Sequence, residues 1–407
     1  MDYIDTKYIP KGDEVICIYY IEPNGVSIEE ACEHIAAESS IGTWTELSTM
    51  KPEIAEKLKP HVFEIDRDSR IIKIAYPLDL FEVGNMPEII SSIAGNIYGM
   101  KIIKNLRLLD FRFPEPMIKS FKGPKYGING VRNLLRIEHR PLLGTIIKPK
   151  VGLSYKEHAK VAYKSWIGGC DIVKDDENLT NQRFNQFDNR IIETLDIRDR
   201  AEEETGEKKV YIPNITAETK EMIKRAEFVE EHGGKYIMID VVTIGFAAMQ
   251  TIRNLNLKLV IHAHRAMHAA ITRNKKHGIS MLTLAKISRI IGVDQIHIGT
   301  GVGKMEGEKE EVIEIQRGIT EDMYNINPVF PVCSGGLHPA LVPELISMLG
   351  ENIIIQSGGG VHGHPDGTES GARAMRQAID AVMNNIPLNE YASGHTELRR
   401  ALEKWSG

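Results

Sequence analysis

Short apolar runs bounded by glycine, proline or charge recur through the last two-thirds of the chain. In order they are GTIIKPK (144–150), CDIVKDDE (170–177), KVYIPNIT (209–216), YIMIDVV (236–242), LVIHAHR (259–265), QIHIGT (295–300), FPVCSGG (330–336) and NIIIQSGGG (352–360). Between most of them lie stretches of helical composition, such as 155–169, 219–234 and 338–350. Eight such alternations predict an α/β fold, a (β/α)8 TIM barrel whose functional groups gather at the C-terminal ends of its strands. A doubly wound open sheet is the alternative, and the count of eight disfavours it. Upstream, Glu14–Tyr20 and 105–113 alternate as strands, and 61–80 reads as a hairpin turning near Asp66–Ser69. Ser27 with Glu30 three residues on starts a helix, and 86–100 has helical periodicity. The first third is therefore expected to be a smaller N-terminal α+β (ferredoxin-like) domain, residues 1–125. The loop-like stretch FKGPKYGINGVR (121–132) leads into the barrel domain, residues 126–407, which ends in two amphipathic helical stretches.

The 407 residues suit two domains, one of about 250 residues and one of about 100–150. A net charge of −6 gives no reason to expect nucleic acid or an anionic membrane as a partner, so any phosphate binding must be local. Cys17, Cys32, Cys170 and Cys333 are scattered, with no CxxC pair, as in a reduced, cytoplasmic protein. The acidic start MDYIDTKYIP lacks the apolar run of a signal peptide, and no stretch has transmembrane length.

The densest chemistry lies in GGCDIVKDDEN (168–178). Side chains alternate along a strand, so Lys174 and Asp176 share a side, and Glu177 joins them only if the strand has become loop by that residue. Two carboxylates are hard ligands suited to Mg2+, whereas an ammonium is a poor neighbour for a dication. Lys174 must either pair with the acids or be chemically altered. At other strand ends, Lys148 and Lys150 flank Pro149 on one side of strand one, and two inward lysines call for an anion. His262 and His264 share a face, with Arg265 next; His262 is read as a core or supporting residue. His297 closes strand six, and the glycine-rich loop after it carries Lys304 like a lid. Ser334–Gly336 and Ser357–Gly360 end strands seven and eight, where Gly335, Gly336, Gly358, Gly359 and Gly360 let backbone N–H groups approach a phosphate. Opposite a Lys/His/Arg set, these suggest a substrate with two anionic ends.

The KDDEN segment behind GG-x-D closely resembles the metal-binding segment of the RuBisCO (ribulose-1,5-bisphosphate carboxylase/oxygenase) large subunit. So do GTIIKPKVGLS (144–154), HAHRAMH (262–268), QIHIGTGVGKMEGE (295–308), SGGLHP (334–339) and QSGGGVHGHPDG (356–367), and AESSIGTW (37–44) and GNIYGMK (95–101) resemble its two N-terminal active-site segments. KDDENLT, ETGEKK and HRAMHAA, with a C-terminus soon after ALEKW, look most like the archaeal form III branch, for which no small subunit is expected.

The resemblance implies that Lys174 is carbamylated by CO2 and, with Asp176 and Glu177, holds Mg2+, the carbamate serving as a general base. Lys148 would be the acid/base that assists enolisation and protonates the cleaved product, supported by Lys150. His264 and His297 would manage protons and polarity around the sugar, and Lys304 would stabilise the new carboxylate. One phosphate would fall to Thr43 and Trp44 of a partner subunit with Lys304, Gly336, Gly358 and Gly359, the other to Arg265, His297 and Ser334. Glu38 would pair with a mobile barrel lysine, and Asn96 would lie near the metal and the reacting gas. A homodimer with shared active sites follows, possibly in a higher assembly.

The implied reaction joins ribulose 1,5-bisphosphate to CO2 (or O2) and, after hydration and C–C cleavage, gives two 3-phosphoglycerates on carboxylation. By resemblance to form III, the bisphosphate would come from nucleotide (AMP) breakdown. Ile146, where plant-type members have Thr, and a shortened segment between Lys304 and Ser334 depart from the family pattern. The alternatives are a RuBisCO-like enolase/isomerase of sulfur salvage, a Schiff-base aldolase, which would leave Asp176 and Glu177 without a task, and a non-catalytic phosphate-binding barrel.

Overall fold

The computed structural model describes residues 2–43, 45, 47–303 and 308–405. The chain divides into two compact units. One is Met1–Lys122 with Met267–Ile291 and Met323–Ile326; the other is Gly123–Ala266 with Gly292–Asp322 and Asn327–Gly407.

In the first unit, β1 (Glu14–Pro23), β2 (His61–Asp66), β3 (Ile71–Pro77) and β4 (Ile103–Arg112) form an antiparallel sheet in the order β4-β1-β3-β2. Helices Ile28–Glu38 and Met86–Ile93 follow β1 and β3, which is the ferredoxin-like β-α-β-β-α-β plan. Alternation sets the buried face. Val15, Cys17, Tyr19 and Ile21 are fully buried along β1, and Cys17 and Tyr19 lie opposite Ile74 and Ile72 of β3. The first helix starts where Ser27 Oγ accepts the Glu30 N–H at 3.1 Å, and it buries Ala31, Cys32, Ile35 and Ala36. A two-residue strand, Gly278–Ile279, pairs in parallel with β4 and makes the sheet five-stranded. Two residues carry no periodicity, so the sequence pattern gives no sign of it.

The second unit holds eight parallel strands: β5 (Leu142–Ile146), β6 (Ile172–Lys174), β7 (Val210–Ile212), β8 (Tyr236–Asp240), β9 (Val260–His264), β11 (Gln295–His297), β12 (Phe330–Ser334) and β13 (Ile354–Gln356), with β10 being the Gly278–Ile279 strand above. They are ordered β7-β6-β5-β13-β12-β11-β9-β8. The ends of that order meet: Asn214, just past β7, bridges Met238 of β8, with Met238 N–H donating to Pro213 O (2.8 Å) and Ile215 N–H to Met238 O (3.1 Å). The sheet is thus a closed barrel, not the open doubly wound alternative.

Leu142, Ile172, Ile212, Met238, Val260, Val332 and Ile354 pack in one cluster with Ile128, Val131 and Leu135 of helix Gly127–Leu135. That helix corrects the loop expected over 121–132. Its apolar positions are spaced for a helix, but Gly127, Asn129 and Gly130 between them read as turn residues.

Every barrel strand stops one to four residues before the expected end. The candidate side chains therefore stand on last strand positions or in the first residues of the following loops.

Candidate active site

Lys174 is the last residue of β6 and is 1% exposed. Its Nζ donates to Asp175 O (2.8 Å) and lies 3.3 Å from Met238 Sδ and 4.0 Å from Glu177 Oε2. Burial disfavours the ammonium and brings its pKa below the usual 10.5, although Glu177, Asp176, Asp240 and Asp175 pull the other way. Glu177 stands in a turn, as needed for it to face Lys174. Burial raises its pKa, but His264 and Lys174 outweigh that and hold it below the usual carboxylate range. Asp176 is 1% exposed, and its Oδ2 accepts from Lys148 Nζ at 2.8 Å.

Lys148 and Lys150 are not on a strand, because β5 ends at Ile146 and Pro149, without an N–H, cannot extend the ladder. Lys148 still turns inward to Asp176. Lys150 is more than half exposed, with Nζ 3.8 Å from Glu177 Oε1.

On the opposite strands, His264 Nδ1 is 2.8 Å from Asp240 Oδ1, and its Nε2 is 3.6 Å from Glu177 Oε2. His262 and His297 are buried with their Nε2 atoms 2.8 Å apart, so only one of the two can donate. His262 Nδ1 meets Gln295 Oε1 (3.0 Å), and His297 Nδ1 meets Ser334 Oγ (2.7 Å). Since Gln295 Oε1 only accepts, His262 donates through Nδ1 and accepts through Nε2. His297 then donates through Nε2, and its Nδ1 accepts the Ser334 hydroxyl. Burial lowers His262 to about 3 and, with the neighbouring cations, takes His297 well below 6.5. Both imidazoles are neutral.

Arg265 follows β9 and makes no hydrogen bond or ion pair to a described residue. Burial lowers its pKa to about 10, with Glu311 opposing. The N–H groups of Gly335, Gly336, Gly358 and Gly359 likewise have no acceptor among the described residues. Gly360 follows them, and a Cβ on it would come within 2.3 Å of Leu337 O. A Cβ on Gly358 would stand 3.3 Å from Lys148 Cε, so glycine there leaves the lysine stem its space. The barrel therefore brings together Lys148, Lys174, Asp176, Glu177 and His264, with His297 and Ser334 joined to one another.

Glu38 ends helix Ile28–Glu38 of the first unit, Thr43 lies in the loop after it, and Asn96 begins the 3-10 turn Asn96–Gly99. Trp44 and Lys304 lie outside the described residues. Sequence reasoning missed Asp240, which orients His264 although it ends its strand as Lys174, His264 and His297 do. It also missed Asn214, whose Nδ2 donates to Glu177 O at 3.0 Å.

Residues 127–405 match the model of the ribulose bisphosphate carboxylase large chain, catalytic domain, and residues 2–117 that of its N-terminal domain. The chain belongs to the RuBisCO large-chain family. A ribulose bisphosphate carboxylase of Methanocaldococcus jannaschii is 56% identical over 427 aligned positions, covering 100% of both chains. One of Pyrococcus abyssi is 52% identical over 100% of this chain and 96% of its own. Among solved structures, octameric RuBisCO of Pyrococcus horikoshii, in complex with sulfate, superposes with a TM-score of 0.97 at 51% identity, covering 100% of this chain and 96% of that one. Dimeric RuBisCO of Hyperthermus butylicus gives 0.93 at 49%, covering 99% and 98%. These archaeal relatives agree with the form III resemblance.

For a RuBisCO family member the donor set at β6 invites a test against Mg2+. Among the described residues no three His, Cys, Asp or Glu side chains gather as a metal site. The third position is occupied by Lys174. A buried amine with a lowered pKa is suited to reaction with CO2, which would replace the cation by an anionic oxygen donor beside Asp176 and Glu177. On that chemistry the residues fit. No helix among the described residues is long and apolar enough to cross a membrane.

Proposed function

We propose that the protein is a ribulose-1,5-bisphosphate carboxylase, activated when the neutral Lys174 amine adds to CO2, forming an N–C bond and releasing one proton. The observation that carries this reading is the buried Lys174 amine 4.0 Å from Glu177 Oε2, with Lys148 Nζ 2.8 Å from the neighbouring Asp176. The Lys174 carbamate, Asp176 and Glu177 would hold Mg2+, which when bound supplies Lewis-acid stabilisation of negative charge on substrate oxygens.

The chain's own groups account for the rest. Lys148, close to where that charge develops, serves as proton donor and acceptor in enolisation and after cleavage; such groups are worth about 10²–10⁴ in rate. Lys150 supports it. His264, oriented by Asp240, faces the sugar with Nε2. Arg265, the Ser334–His297 pair and the free glycine N–H groups are suited to the two phosphates and fix the substrate's orientation. The net reaction consumes ribulose 1,5-bisphosphate, CO2 and water and yields two 3-phosphoglycerates; O2 competes for the same enolised substrate. Glu38, Thr43, Trp44 and Asn96 from the N-terminal segments of a partner subunit complete the site across a homodimer, beside Lys304 of the barrel's own loop, without a small subunit. The bisphosphate comes from nucleotide breakdown.

The test is incorporation of ¹⁴CO2 into 3-phosphoglycerate by protein preincubated with Mg2+ and bicarbonate, without O2, beside Lys174→Ala. Label that disappears in the variant supports the reading. Exchange of a substrate proton without label in the product would favour the enolase alternative.

A further inference from the structure

Between Lys174 and Asp176 in sequence, Asp175 turns away from the reacting groups into the layer between strands and helices, where it is fully buried. There Oδ1 accepts from Tyr211 OH (2.7 Å), and Oδ2 accepts from Arg190 Nε (3.1 Å) and the Asn214 N–H (2.9 Å). His158 Nε2 is 3.1 Å from Oδ1 without hydrogen-bond geometry. Arg190 comes from helix Phe187–Thr205 and is also fully buried. Its remaining donors reach Thr180 O through Nη2 (2.6 Å) and, through Nη1, Asn185 O (3.0 Å) and Oδ1 (3.2 Å). One guanidinium thus ties the start, middle and end of the 175–186 connection, whose second and third residues are Asp176 and Glu177. Asn214, held by Asp175 through its N–H, returns Nδ2 to Glu177 O.

We propose that Arg190 and Asp175 are positioning residues that fix the backbone carrying Asp176 and Glu177 and thereby set the site's affinity for a divalent cation. The inference rests on the metal site of the reading above. Stability alone does not call for this arrangement. A buried ion pair is commonly no more stabilising than apolar residues of its volume. What an apolar replacement cannot do is bond the Thr180 and Asn185 carbonyls together with the carboxylate next to the ligands. Partners lying behind metal ligands typically contribute about 10–100-fold in metal affinity.

The experiment uses the full chain: Mn2+ binding followed by electron paramagnetic resonance in the presence of bicarbonate, with thermal unfolding and kcat at saturating metal measured alongside. It compares wild type with Arg190→Met, Arg190→Lys and Asp175→Asn. Arg190→Met is expected to weaken Mn2+ binding about 10–100-fold, with a smaller loss in kcat at saturating metal. Arg190→Lys recovers part of the affinity, because an ammonium reaches Asp175 but not both carbonyls. If Arg190→Met does not fold, Asp175→Asn decides in its place: it keeps the shape but loses the charge and turns one of the two acceptor oxygens into a donor, so the bonds that hold this backbone are not all made. Mn2+ affinity within about 2-fold of wild type in the deciding variant, whatever its melting temperature, overturns the positioning role alone. Wild type without bicarbonate-dependent Mn2+ binding overturns the metal site itself and this inference with it.

Discussion

Lys148 Nζ donates to Asp176 Oδ2 at 2.8 Å, so the proposed proton carrier is held by one of the proposed metal ligands. The pair keeps the lysine aimed inward. A cation arriving at Asp176 competes for the same carboxylate and frees the amine for substrate.

Lys148→Met is expected to lower kcat by about 10²–10⁴. Because Asp176 is 1% exposed and loses its cation, the metal-free variant should also lose stability, by up to about 3 kcal/mol. Metal affinity should rise slightly, since a competitor for Asp176 is gone. Steady-state kinetics beside an Mn2+ titration separate these effects, and equal losses in both would contradict the role.

Activation by CO2 should grow with pH at fixed dissolved CO2. Only the neutral Lys174 amine reacts, and burial favours that form by lowering its pKa from 10.5. The half-point of activation should therefore lie below pH 10.5. Carbamate measured by ¹³C NMR across pH tests this; a half-point at the value of free lysine would mean the amine is not in the buried setting.

The His262–His297 pair should make the protein sensitive to mild acid. Both pKa values are depressed, His262 to about 3. The unfolded chain therefore binds more protons between the ordinary histidine value and the folded ones. Stability from the pair is complete above about pH 6.5 and is lost as pH falls through that window. Replacing His262 by Gln should reduce the slope of unfolding free energy against pH, between 6 and 4, by about 1.4 kcal/mol per pH unit. Urea unfolding at several pH values reads this directly, and an unchanged slope would place the titration elsewhere.

Arg265→Gln should raise KM for ribulose 1,5-bisphosphate by about 10-fold or more, as expected when a charged hydrogen-bonding partner worth about 1.5–3 kcal/mol is lost. The same change should leave the ligand-free protein equally or more stable, because it removes a half-buried cation that makes no ion pair to a described residue. A variant that loses stability without a change in KM would assign Arg265 to the scaffold.

The strand ends were legible because each joins an apolar run to a polar cluster, and a barrel turns that junction into position. Lys174, Asp176 and Glu177 were read together for this reason. The limits were also physical. Asp240 carries the same signal but is a single acid at the end of YIMID, and only its 2.8 Å approach to His264 distinguishes it. Arg190 is one of three arginines in a charged helix; its burial depends on Asp175, a residue fifteen positions away. The helix at Gly127–Leu135 was hidden by its glycines, and the Gly278–Ile279 strand exists only through pairing with β4, far away in sequence.

The barrel's ring is joined most thinly between β7 and β8, where a single bridge, Asn214 to Met238, replaces a ladder. Those same two residues touch the reactive centre, Met238 through Lys174 Nζ and Asn214 through Glu177 O. Shutting the ring and creating the pocket in which Lys174 loses its solvent are therefore one event. A chain with its ring still open would offer CO2 only an ordinary hydrated lysine, so under the proposed activation uptake of the gas would report that the barrel has been completed.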